Sequence, residues 1–198
     1  MNITANAVPL QHRSGRMIQL VKRFLHTRIG AFIGYHLGVS GFNRVDAYIT
    51  RANGKVEFLG PSYNSRVNAG AALAASLISG TTLGGLTSPS AAKYIALSTS
   101  SLTPAAGDTT LSGETSVSGL GRALGSAGTY TAPASLDAGC SYVLSKVFTA
   151  GVTGPTTIQS AAIFDAASTG NMLVEANLSS SAVLGLNDQL TINWTVNL

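Results

Sequence analysis

The closing ten residues constrain the chain most. Leu190, Ile192, Trp194, Val196 and Leu198 alternate with Gln189, Thr191, Asn193, Thr195 and Asn197. A period of two places alternate side chains on opposite faces of a strand, and no helix would separate these residues into a wet and a dry side. A strip of Leu, Ile, Trp, Val and Leu has to be covered, so the pattern predicts a buried final strand, with Trp194 in the core, in a sheet packed on a second sheet.

The chain upstream has the length to supply that layer. A fold of 198 residues buries roughly 70% of its unfolded surface and needs no staples. The single cysteine, Cys140, makes no internal disulfide and reads as a small buried thiol. No Cys/His cluster has zinc spacing, so no metal or cofactor is expected. Charged residues are only 10% of the chain, a composition of β-rich proteins packed into larger assemblies rather than of free enzymes. No apolar run reaches the ~18 residues that cross a bilayer, and no secretory signal is evident at the amino terminus. The expectation is a soluble, unprocessed chain without membrane insertion.

Charge is distributed unevenly. Residues 1–66 hold nine basic and two acidic side chains, a net +7, whereas residues 67–198 hold three basic and six acidic ones, a net −3. Two functionally different regions are the simplest account. We place the boundary so that residues 1–44 form a basic arm and amphipathic helix and residues 45–198 form the second domain.

Met1 to Pro9 is read as an extended arm. Met17, Ile18, Leu20, Val21, Phe24, Leu25 and Ile29 then fall within about half the circumference of a helix, with Arg16, Lys22, Arg23 and His26 opposite. Such a helix either packs on its own domain or docks on an acidic partner, nucleic acid or a lipid surface. Arg13, Arg16, Leu20, Lys22, Arg23, Phe24 and Arg28 are the candidate partner-binding residues.

Farther along, Val45–Ile49 and Lys55–Leu59 flank Asn53-Gly54, a hairpin signal that Pro61 closes. Ser65 or Asn68 is the expected cap of a short helix with its stripe at Val67, Ala71, Ala74 and Ile78, stopped by Gly80. Strands are then expected at Lys93–Thr99, Thr115–Val117, around Tyr130, and at Ser141–Thr149, Thr156–Asp165, Asn171–Asn177 and Ala182–Leu184. Short strands separated by glycines, with no helix between them, mean a β-sandwich or jelly roll. The predicted fold class is therefore mainly β, with a basic amino-terminal arm and helix and one short helix before the sandwich.

Catalytic signatures are missing. The Gly119–Gly125 run has its third glycine one residue late for a dinucleotide loop and lacks a βαβ setting, so it reads as a flexible connection. There is no G-x-S-x-G and no H-E-x-x-H. Asp108, Glu114, Asp137, Asp165, Glu175 and Asp188 are dispersed, and the expectation for them is solvated turn positions. Nothing here predicts an enzyme or a small-molecule substrate.

Several stretches carry a resemblance. Ala52 to Gly60 (ANGKVEFLG), Asn68-Ala69-Gly70, Tyr94 to Leu97 (YIAL), Pro104 to Leu111 (PAAGDTTL) with Glu114, Ile163 to Ala167 (IFDAA) and Asp188 to Val196 (DQLTINWTV) resemble small structural proteins of tailed bacteriophage virions, over roughly residues 45–198. Ser98 and Ser100 stand where such proteins often carry glycines, and Ser160 and Ala162 replace a Glu and a Gly. The resemblance implies a virion structural protein on the particle surface, present in the host cytoplasm during assembly. Its implied partners are the major capsid protein or other virion proteins, and its implied state is a homo-oligomer.

Three roles are compatible with these readings. A capsid decoration or cement protein, attached through its basic amino-terminal region, is the leading one, because an uncharged sandwich suits display and a basic tether suits docking. A tail, collar or fibre component contacting the host is the alternative. Nucleic-acid binding through residues 13–28 is the lesser alternative.

Overall fold

Alternation of the kind seen at the carboxy terminus recurs over residues 43–50, where buried and partly exposed side chains alternate. The computed structural model describes residues 42–79, 82, 84–86, 88–131 and 141–197. Nine strands and one helix follow in order: β1 (Phe42–Thr50), β2 (Val56–Ser65), α1 (Asn68–Ser79), β3 (Tyr94–Ser98), β4 (Ala123–Leu124), β5 (Ser126–Thr131), β6 (Ser141–Thr149), β7 (Thr156–Phe164), β8 (Met172–Leu184) and β9 (Gln189–Asn197). They form a five-stranded sheet A, ordered β2-β1-β9-β6-β5, and a four-stranded sheet B, ordered β4-β3-β7-β8. Every pairing is antiparallel. The protein is a mainly β sandwich with one short helix among the described residues, as its patterning predicts. The predicted basic arm and helix lie outside the described residues.

The final strand is the middle of sheet A, between β1 and β6. Val45, Ala47 and Ile49 sit opposite Trp194, Ile192 and Leu190, and Leu144 and Phe148 opposite Trp194 and Leu190 from the other side. Sheet B answers with Ile95, Leu97, Ile158, Ala161, Ile163, Leu173, Ala176 and Leu178, all in the same buried cluster. Each large aliphatic or aromatic side chain buried this way is worth roughly 1.5–3 kcal/mol. Trp194 is fully buried, and its Nε1 has no hydrogen-bond partner among the described residues. Its indole contributes through volume rather than through its polar atom.

Sheet B is covered on its other side as well. Ala96, Ala162, Phe164 and Met172 form a second buried cluster with Val67 and Leu111. Double coverage explains why β7 is buried at every position from Ser160 to Phe164, where an alternating strand would be buried at every second one.

Five local readings need correction, the first that Thr115–Val117, expected as a strand, lies outside the strands beside the isolated Ser98–Glu114 bridge. The Asn53-Gly54 hairpin is present, but Arg51 and Lys55 close a three-residue loop by Arg51 N to Lys55 O at 2.8 Å, with Gly54 at φ 83°. That is the type I turn plus left-handed glycine arrangement, not a two-residue turn. Pro61 does not end the strand: β2 runs on to Ser65 past a bulge opposite Ala47, tolerated because β2 is an edge strand whose missing N–H faces away from the ladder. The helix buries Gly70, Leu73 and Ser76 rather than Ala71, and its first bond runs from Ala71 N to Val67 O. Val67, rather than Ser65 or Asn68, therefore stands at its start. A Cβ at Gly70 would lie 2.0 Å from Leu173 O, so Gly70 is what lets the helix approach β8. Finally, Asn171–Asn177 and Ala182–Leu184 are one strand, β8. The exposed Ser179–Ser181 trio that reads as a turn continues the strand.

Candidate functional site

The seven residues proposed for partner binding, Arg13, Arg16, Leu20, Lys22, Arg23, Phe24 and Arg28, lie outside the described residues. What the structure does describe is how the sandwich disposes of its own polar groups, and therefore which surfaces remain for others.

Most of the polar chemistry fastens loops. The segment from Thr99 to Glu114 crosses the outer side of sheet B and forms no strand beyond the single Ser98–Glu114 bridge. Side chains of the sheet hold its backbone in place of strand partners. Asn177 Oδ1 accepts from Leu102 N at 2.7 Å and its Nδ2 donates to Leu102 O at 2.9 Å, reproducing a peptide pair. Ser160 Oγ donates to Ser100 O at 2.8 Å, Gln159 Nε2 donates to Thr99 O at 2.6 Å, and Ser98 Oγ donates to Ser112 O. The loop tip also joins the helix, through Asn68 N to Ala106 O at 2.8 Å. The two serines that depart from the resemblance, Ser98 and Ser160, are thus hydrogen-bond donors to this loop.

Under the loop lies a carboxyl pair that its sequence separation concealed. Glu175 is only 2% exposed, and burial, reinforced by a hydrogen bond with the Asp108 side chain, pushes its carboxyl up to about 8. Asp108 in turn accepts from Ala105 N at 2.6 Å and so shapes the loop tip. Of the two, neither lines the groove of about 230 Å³ that Tyr63, Asn64, Leu102, Pro104 and Asn177 border. The pair joins the loop tip to β8.

Two more anchors correct the expectation of solvated acidic turns. Asp188 is buried between two hairpins: it accepts from Gly185 N at 3.0 Å, Ala52 N at 2.9 Å and Arg51 Nη1 at 2.9 Å. The Gly185 amide first, with Arg51 and the Ala52 amide, holds its carboxyl below the usual range against the opposing effect of burial. Asp165 accepts from Asn171 N and Nδ2, both at 2.7 Å, across the β7–β8 turn. The Gly119–Gly125 run is likewise an anchor. Arg122 lies 3.6 Å over the Phe164 ring. It makes a paired contact with Glu114 at 2.8 and 2.6 Å and donates to Ala166 O and Thr169 O. A planar guanidinium can serve a carboxylate, two carbonyls and a ring at once. Sequence reasoning missed Arg122 because a single arginine between glycines has no period.

The arginines of the sandwich are thereby committed. Arg44 pairs with Asp46, Arg51 with Glu57 and Asp188, and Arg122 with Glu114. Arg66 Nη2 donates to Asn197 O at 2.8 Å, and burial lowers its pKa. Residues 1–41, in contrast, contain five basic side chains and no acidic one.

The outer side of sheet A is different again. Phe58 stacks on Tyr48 with ring centroids 4.7 Å apart. Tyr48 lies opposite Thr191, and Thr191 opposite Val147. One row of outward side chains thus crosses four strands, and Phe58, Val56 and Val147 are 50%, 62% and 49% exposed.

The described residues form an antiparallel sandwich whose polar side chains lock its own loops, and they hold no group of three metal-ligating side chains. No helix among those residues is long and apolar enough to cross a membrane. The family model for the podophage GP4 fiber I protein gp80 matches residues 68–195, and the chain belongs to that family. It is a structural protein of tailed-phage virions. No curated protein and no solved structure matches the chain.

Proposed function

We propose that the protein is a fibre-type component of a podophage virion, in which the β-sandwich is the displayed unit and the basic amino-terminal region attaches it to other virion proteins. The family match over residues 68–195 carries the reading, and it favours the tail or fibre role over capsid decoration because the family is named for a fibre. Charge placement supports the division of labour. The sandwich arginines are bound within it, whereas Arg13, Arg16, Lys22, Arg23 and Arg28 have no acidic neighbour within residues 1–41 and supply the long-range attraction that guides assembly. Labelling purified particles with an antibody against the sandwich tests this: signal at the tail is expected, and signal spread over the head would return the decoration role.

A further inference from the structure

We propose that residues 103–110 are a proton-held latch: they close over the outer side of sheet B while the Asp108 and Glu175 carboxyls share one proton, and they lift when it is lost.

The contact itself requires that proton. An ionised carboxylate only accepts, so a hydrogen bond between two carboxyls exists only while one of them carries the hydrogen. Asp108 also accepts from Ala105 N at 2.6 Å, a bond that suits its ionised form. Glu175 is 2% exposed, and burial disfavours its charge, so the proton sits on Glu175.

Among the described residues no cation stands ready to hold a second negative charge there. The other charged side chain of the Thr99–Glu114 loop is Glu114, which is bound to Arg122. Across the strand pair Glu175 faces Ala162, and β7 carries no titratable side chain. Nor does α1. β3 contributes Tyr94, packed on the second cluster. β2 contributes Tyr63 and, beside it, Asn64, whose amide donates to the backbone carbonyl of Glu175. Arg66 follows β2 and donates to Asn197 O, and Asp165 is held by Asn171.

Ionisation of Glu175 sends its proton to water and leaves two like charges in contact with no hydrogen between them. One side has to give way. β8 is fixed by its ladder to β7 and by Asn64. The latch is held far less. Thr103, Ala105, Gly107, Thr109 and Thr110 are exposed. Apart from the carboxyl contact, the segment's hydrogen bond to the rest of the described structure is Asn68 N to Ala106 O at 2.8 Å. Its two ends stay anchored, at Leu102 by Asn177 and at Leu111 in the second cluster. Lifting therefore carries Asp108 into water, admits water to Glu175, frees the Asn68 N–H and widens the groove bordered by Leu102, Pro104 and Asn177.

The direction of the pH response follows. In the closed form burial, then Asp108, pushes Glu175 from 4.5 up to about 8, whereas in the lifted form the carboxyl meets water and ionises in the ordinary range. The ratio of lifted to closed molecules rises with pH, by up to about tenfold per unit, and levels off once the closed form itself ionises near pH 8. The latch belongs to the sandwich and does not depend on where in a particle the protein sits.

Amide hydrogen exchange of the full-length chain from pH 6 to 8 tests it, with each rate divided by that of an unstructured peptide at the same pH. Asn68 and Ala105 report on the latch, and the β7 amide of Ile163 reports on unfolding of the whole sandwich. At every pH, Asn68 and Ala105 should exchange at least tenfold faster than Ile163 and, unlike Ile163, should respond little to low denaturant, the mark of a local opening. Their protection should fall at least tenfold from pH 6 to 8. In Glu175→Gln, whose amide donates to Asp108 without titrating, that fall should disappear. Exchange of the latch amides together with Ile163 would mean that they open only by global unfolding and would overturn the proposal, a comparison that needs no variant. Protection that is constant with pH, or a fall that persists undiminished in Glu175→Gln, would overturn it as well.

Discussion

The two outer faces of the sandwich solve the same problem in opposite ways. Sheet B is covered by an irregular loop whose backbone would lose its hydrogen bonds under burial, so Ser98, Gln159, Ser160 and Asn177 replace the missing partners one by one. Sheet A presents threonine, valine and stacked aromatics and, apart from the Arg44–Asp46 pair, commits little polar chemistry outward. A face that has spent its polar side chains on its own chain is closed to partners. The outer face of sheet A instead keeps Val56, Phe58 and Val147 about half exposed.

The shared core sets the scale for breaking this comparison. Replacing Trp194 with Ala should cost about 3–5 kcal/mol, because the indole fills the space between the sheets and the strands around it are fixed by pairing on both sides. Thermal or denaturant melts measure it, and a loss below about 1 kcal/mol would mean the sheets close over the gap.

Next in size is the pH dependence of the sheet B cover. Glu175 has its folded pKa raised from 4.5 to about 8. The sign follows directly: the unfolded chain gives up this proton near pH 4.5 while the folded chain keeps it. The stabilisation is therefore complete below about pH 4.5 and is lost as pH rises to about 8, by at most ~1.4 kcal/mol per pH unit. Glu175→Gln keeps the shape and the hydrogen bond without the titration. Stability curves from pH 4 to 9 should be flatter for the variant, and at pH 8 it should be the more stable protein. Parallel curves would mean that Glu175 ionises freely in the folded state.

A smaller effect sharpens the contrast between faces, because asparagine occurs on both. Asn177→Ala strands both the N–H and the C=O of Leu102 and should cost about 1–3 kcal/mol. The Asn193 side chain, outward on β9, makes no hydrogen bond with the described residues, so Asn193→Ala should stay within about 0.5 kcal/mol. Equal losses would erase the distinction between a fastened face and an open one.

Much of the sandwich was legible because periodicity survives wherever one side of a strand is dry and the other wet. β9 read directly from alternation, and β3, β6 and β7 as short runs of strand length between loops and glycines. β8 read as two strands because Ser179–Ser181 is polar and exposed where the register shift opposite Gln159 takes β8 out of its pairing with β7. The loop anchors were not legible at all. Arg122, Asn177 and Asp188 each act through one or two backbone groups far away in sequence, and such contacts have no spacing to detect. The Glu175–Asp108 pair is separated by a whole sheet's worth of chain, and only the fold of β8 beneath the loop brings it together. Glycines proved informative where space was the constraint: a Cβ at Gly119 would lie 1.8 Å from Thr149 O, a closeness that nothing in its run of small residues distinguishes from flexibility.

Charge divides the chain as sharply as coverage divides the faces, and this division is the centre of the account. The sandwich pairs Arg44, Arg51 and Arg122 with its own carboxylates and holds Arg66 on a backbone carbonyl, while residues 1–41 carry five basic side chains and no acidic one. Incorporation into particles tests it most directly. Particles assembled without the native protein would be supplied with the full-length chain or with a chain lacking residues 1–41, and the bound protein counted per particle, with a melt confirming that the shortened chain folds. The account predicts a folded but unincorporated shortened chain, with full-length incorporation weakened by salt and by Arg16→Glu, Lys22→Glu and Arg23→Glu together. Full occupancy by the shortened chain would contradict it and place the interface on the sandwich itself.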